Sequence, residues 1–188
     1  MTVMILGLVI FLGMHSVRIV AADWRQTQIQ RLGLIPWKAL YSVISIVGLG
    51  LAIWGYGRMR LDPIFLWSPP SGLAHLVALL MIPAFILLVA AYVPGNHLKA
   101  RLGHPMILAV KLWAFSHLLI NGRLGDIVFF GAFLVWAIFD FRDMRRRSQQ
   151  PQPAPRTVST LATVVIGLVA YYLFAFHLHV WVTGVPVM

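Results

Sequence analysis

Cysteine is absent from these 188 residues, and so is glutamate. Without cysteine there are no structural disulfides, no zinc thiolates and no thiol nucleophile. The acids are Asp23, Asp62, Asp126, Asp140 and Asp143, scattered along the chain. So thin an acid supply argues against di-metal carboxylate centres and paired-carboxylate hydrolysis. No serine sits in a nucleophile elbow, which weakens Ser/His/Asp catalysis. Charge of any kind is scarce: 11% of residues are charged, where a soluble domain carries roughly a quarter. The 15 Lys and Arg outnumber the acids and give a net charge of +10. They gather at the ends of apolar runs, so they read as membrane orientation signals and not as a nucleic-acid surface.

What is abundant is apolar length. The chain is 60% hydrophobic, and several runs approach the ~20 residues that cross a ~30 Å hydrocarbon core. The expected fold class is all-α, a polytopic transmembrane helix bundle of about six spanning helices, with residues 1–188 as a single membrane domain. The runs are about Thr2–Val20, Leu34–Tyr56, Gly72–Val93, Pro105–Asn121, Ile127–Phe141 and Val158–Val182. The first reads as a span and not as a secretory signal, because no Lys or Arg precedes it and Arg18 lies at its far end. Ala22–Gly33 is a polar interfacial segment. "RLDPIFLWSPPSG" is a proline-broken loop with Trp67 as an interfacial anchor, and Pro83 marks a kink in the third run. A polar Pro/Gln linker at about 148–157 precedes the last run. No internal repeat stands out.

The positive-inside rule orients this arrangement. With the N-terminus outside, the inner loops hold Arg18, Arg25, Arg31 and Lys38, then Lys99 and Arg101, then Arg142, Arg145, Arg146, Arg147 and Arg156. The outer side holds only Arg58, Arg60 and Arg123. A multi-pass protein of the bacterial inner membrane with both termini periplasmic is therefore expected.

The seven histidines are many for so apolar a chain. His97 falls in a loop and reads as solvated, and His177 and His179 lie near the outer end of the last run. His15, His75, His104 and His117 fall within or at the edge of the spans. A lone intramembrane histidine is more often a hydrogen-bonded packing residue than a ligand. Four together shift the balance, because buried polar groups in spans are costly and often functional. With no Cys, no Glu and no acid expected within the membrane, imidazole suits haem iron, and an apolar, aromatic bundle suits a porphyrin. A zinc site stays open, although zinc hydrolases add a carboxylate base.

On the fourth run, ~100° steps put Met106, Val110, Trp113, His117 and Asn121 on one side and His104, Leu108, Lys111 and Phe115 on another. His104 and His117 therefore cannot serve one metal from the same helix. Trp113, Val110 and Asn121 would line a pocket around His117. His104 would bind an acidic group of a ligand or cap the helix before Pro105. Lys111 either lines the site or snorkels to the headgroups. Arg18, three residues after His15, either pairs an acidic ligand group or snorkels likewise. By depth His75 is the natural companion of His117.

The stretches "GMHSVRIV", "LYSVISIVGLGLAIWGYGRMR", "LWSPPSGLAHL…AAYVPGN" and "GHPMILAVKLWAFSHLLINGRLGD" resemble the NnrU family over nearly the whole chain, in order. That resemblance implies a multi-pass membrane protein linked to nitrate and nitric-oxide (denitrification) physiology. The family architecture is similar to that of the membrane 15-cis-zeta-carotene isomerase, a haem b enzyme. By this similarity the axial iron ligands fall on His15 in "HSVR" and His117 in "WAFSH", with His75 and His104 as alternatives, and Arg18, Trp113 and Asn121 beside the cofactor. The isomerase's cysteine is replaced by Ala114, and a further histidine by Trp136. The resemblance thus implies a haem site more strongly than a carotenoid redox switch. The implied partners are membrane lipid and a lipophilic or nitrogen-oxide ligand, with no nucleic acid. The competing functions are a haem-dependent isomerase, a redox protein, and a non-catalytic transporter or assembly factor.

Overall fold

The computed structural model describes residues 1–147 and 153–187. It is helical, and the described residues hold no strand, only one isolated β-bridge between Phe65 and Arg123. The helices are α1 (Thr2–Val20), α2 (Ala22–Leu32), α3 (Leu34–Met59), α4 (Leu73–Tyr92), α5 (His97–Leu102), α6 (Pro105–Ile120), α7 (Leu124–Arg146) and α8 (Thr157–Leu173). The last continues through a π-helical turn, Phe174–Leu178, into α9 (His179–Thr183). Five stretches are long and apolar enough to cross a membrane: α1, α3, α4, α7 and Thr157–Thr183. The sixth apolar helix, α6, is shorter. This is a membrane protein with about six spans. Residues 148–152 of the expected 148–157 linker lie outside the described residues.

The expected limits hold to within a few residues except in the fifth run. There the helix begins at Leu124 and ends at Arg146, wider than Ile127–Phe141. Charge is the misleading cue. Asp126 sits in the first turn, where the positive end of the helix dipole favours an acid. Asp143 pairs with Arg147 one turn on, which supports the basic end.

The chain forms two compact units. The first comprises Met1–Trp67 and Gly122–Trp136. Its α1 and α3 run antiparallel with their backbones in contact. A Cβ on Gly7 would strike the backbone of Ala52, and one on Gly55 would strike that of Met4. One on Gly48 would lie 2.7 Å from the Phe11 nitrogen. In lipid, where expulsion of water supplies no drive, such small-residue approaches let dispersion hold helices together. α2 buries none of its residues, as a polar interfacial segment should, and its Trp24 meets the buried Trp37 edge-on.

A loop clasp closes this unit's other end. Leu66 N donates to Gly122 O (2.8 Å) and Leu124 N to Ile64 O (2.9 Å), while the Arg123 guanidinium lies over the Phe65 ring. Gly122 admits the carbonyl of Trp67 where any side chain would collide. The "NGRLGD" phrase is in this sense architectural.

The second unit comprises Ser68–Asn121 and Ala137–Met188. In it α4 packs on α6 and α8, with Gly167 of α8 against Ile86. Its "VPGNH" turn is a knot of hydrogen bonds around Asn96, which is 1% exposed. The Asn96 amide donates to Ala90 O and Val93 O, and its oxygen accepts from Lys99 N as the cap of α5. Next to it His97 meets the Thr160 hydroxyl through both its backbone N and its Nδ1. His97 is therefore not the solvated loop residue expected; it is half-buried and ties α5 to α8.

Candidate functional site

The two histidines singled out by motif share one local geometry. In α1, His15 Nδ1 lies 2.7 Å from Phe11 O, one turn back. In α6, His117 Nδ1 lies 2.8 Å from Trp113 O, again one turn back. A carbonyl oxygen only accepts, so each Nδ1 carries the proton. In the neutral ring the lone pair then resides on Nε2. This is the tautomer a metal ligand needs, with the second nitrogen anchored to a carbonyl that fixes the ring and raises its basicity.

Each ring also has an aromatic setting in its own unit. Around His15 stand Phe11 (ring centroids 4.2 Å apart), Tyr41 (5.2 Å) and Trp136 (5.9 Å, perpendicular). Among the described residues the buried Trp136 Nε1 has no hydrogen-bond partner. Trp136 is thus an orphaned donor beside His15. Around His117 stands Trp113, 5.4 Å away, and the helix ends just beyond. There Asn121 N and Nδ2 both donate to His117 O. Asn121 is a helix cap that fixes the turn carrying His117. Arg18 is exposed in the last turn of α1.

The other histidines separate. His75 is exposed in the first turn of α4. His104 occupies the N-cap position of α6 with Pro105 next, as expected, but its side chain makes no cap bond. Among the described residues its buried Nε2 has no hydrogen-bond partner, and its ring stands edge-on to Phe141. Lys111 does not run out to solvent: its Nζ lies 4.4 Å from the centre of that same Phe141 ring. His177 is exposed, and His179 Nδ1 reaches Val185 O.

Among the described residues no three His, Asp or Glu side chains gather as a metal site. That is short of the set a protein-ligated zinc requires. A haem iron asks the protein for only one or two donors. In tautomer and surroundings, His15 and His117 each fit that demand.

One expectation fails here. The sequence reading leaves the membrane segments free of acids, yet Asp126 is 2% exposed and Asp140 8% exposed, both buried in α7. Asp126 Oδ1 accepts from the Tyr56 hydroxyl at 2.6 Å, and its buried Oδ2 has no partner among the described residues. The available signal is an acid a few residues past the helix-breaking "NG", in a helix first turn. Its partner lies 70 residues away in sequence, beyond any local pattern.

The model of the family described as NnrU protein matches residues 3–187. No curated protein and no solved structure matches the chain.

Proposed function

The chain belongs to the NnrU family, and from that premise we propose that it is a haem-b-binding protein of the bacterial inner membrane, serving nitrate and nitric-oxide physiology. By the resemblance, His15 and His117 would each offer Nε2 to the iron. The observation that carries this reading is the shared tether: both rings give Nδ1–H to the carbonyl one turn back and so present the Nε2 lone pair. They are the two residues that the motif resemblance names. Bound there, haem b would supply a one-electron couple and an iron able to take a nitrogen-oxide ligand. Phe11, Tyr41 and Trp136 pack around the His15 ring, and the Asn121 cap holds the helix end under His117.

An isomerase acting on a lipophilic substrate is the weaker reading. Fully buried Ala114 offers no thiol where the isomerase has its cysteine.

The test is an absorption spectrum of protein purified from haem-replete cells, oxidised and reduced. The expected result is a Soret band with low-spin features. His15→Ala and His117→Ala should each lose the low-spin signature, and His177→Ala, at an exposed position, should keep it. Wild-type protein without Soret absorbance overturns the proposal. A low-spin spectrum that persists in His15→Ala moves the second ligand to His75.

A further inference from the structure

Three basic groups converge on one aromatic ring in the second unit, and none of them is accounted for by the haem reading. The Lys111 ammonium lies 4.4 Å and the Arg145 guanidinium carbon 5.7 Å from the centre of Phe141. The His104 ring stands perpendicular to it at 6.5 Å, with its Nε2 buried and, among the described residues, unpartnered. Among the described residues neither Lys111 nor Arg145 is ion-paired, and the nearby Asp143 is taken by Arg147. A ring face attracts a cation, but two cations drawn to one ring repel each other, and Lys111 sits inside an apolar helix where an unpaired ammonium is costly. Two cations and an available imidazole nitrogen, with no acid paired to them among the described residues, are complete only when an anion joins them.

We propose that His104, Lys111 and Arg145, gathered around Phe141, bind the phosphate head of an anionic membrane lipid. The phosphate accepts from the ammonium and the guanidinium, which are strong charge-assisted donors, and from His104 when Nε2 carries a proton. The lipid rather than a free phosphate is indicated by the apolar surface next along α6. Phe115, one turn beyond Lys111 and on the same face, is 46% exposed, so an acyl chain has an apolar neighbour where it leaves the head. The site does not depend on haem, so its test can fail without touching that proposal.

The full-length protein is reconstituted in phosphatidylcholine vesicles, and its selectivity for spin-labelled phosphatidylglycerol over spin-labelled phosphatidylcholine is measured. The wild type is expected to prefer phosphatidylglycerol. Lys111→Met should reduce the preference about fivefold, and Arg145→Gln, at an exposed position that tolerates change, should reduce it in the same direction. Arg146→Gln removes an equal charge from the same helix end at an exposed position, leaves the Asp143–Arg147 pair and the cluster intact, and should change the preference little. Inorganic phosphate should not displace the lipid. The proposal is overturned if the wild type shows no preference. Equal losses in Lys111→Met, Arg145→Gln and Arg146→Gln also overturn it, since surface charge alone then explains the binding. Displacement by inorganic phosphate overturns the lipid assignment. If Lys111→Met does not fold, the comparison of Arg145→Gln with Arg146→Gln decides the question by itself.

Discussion

Tyr56 and Asp126 show what a single buried contact contributes and how little of it can be read ahead of the structure. Removing the phenol oxygen leaves a carboxyl group buried without a donor on either oxygen among the described residues. The expected destabilisation in Tyr56→Phe is ~1–3 kcal/mol, the cost of an orphaned buried polar group. Tyr172→Phe alters an exposed residue and should stay within about 0.5 kcal/mol of wild type. Thermal melting of both variants in the same detergent decides it, and equal midpoints would mean the 2.6 Å bond contributes nothing. The sequence singles out His15 and His117 because their neighbours form recognisable phrases. It does not single out Asp126, whose significance depends on a tyrosine brought near only by folding. Lys111 falls between these cases. Its helix face is legible, but Phe141, which receives it, sits on another helix and cannot be named from the local pattern.

At the scale of the element, helix extents are legible because the apolar runs end at glycine, proline or charge. What those cues cannot give is which side of a helix meets which neighbour. The glycines of α3 show this. Gly48 and Gly50 are indistinguishable in sequence, yet a Cβ at Gly48 lies 2.7 Å from the Phe11 nitrogen while one at Gly50 meets nothing within 4 Å. Gly48→Ala should therefore cost about 1–3 kcal/mol through overpacking. Gly50→Ala should be neutral or stabilising by up to ~1 kcal/mol, since alanine is the better helix former. Reversed or equal effects in unfolding measurements would refute the backbone contact between α1 and α3. The "VPGNH" turn gives a second element-level expectation. Asn96→Ala loses two donated bonds and the α5 cap, so it should lower stability by at least the ~1 kcal/mol typical of a lost cap. His97→Ala, which loses the contact with Thr160, should compound that loss less than additively, because both act on the same turn.

For the whole molecule, the fold class is legible in the lengths of the apolar runs, and the orientation proposal rests on the distribution of basic residues. One structural relation groups the arginines assigned to one side. Arg58 and Arg60 at the end of α3 and Arg123 before α7, the three assigned to the outer side, flank one clasp in the first unit, where Ile64–Trp67 meets Gly122–Leu124. Reporter fusions after Arg147 and after the last residue should report the cytoplasm and the periplasm respectively, and a periplasmic signal after Arg147 would reverse the topology. The brevity of α6 bears on the bilayer itself. Its 16 residues span about 24 Å at 1.5 Å each, against a hydrocarbon layer of ~30 Å. Local thinning is one response to such a hydrophobic mismatch, at fractions of a kcal/mol per Å. Lys111, six residues past Pro105, sits only about 9 Å along the helix from its start, and a thinned leaflet would carry the headgroup layer inward toward its ammonium. Lipids with shorter acyl chains should on this account favour the folded protein, and the membrane's thickness becomes one of the conditions that tune it.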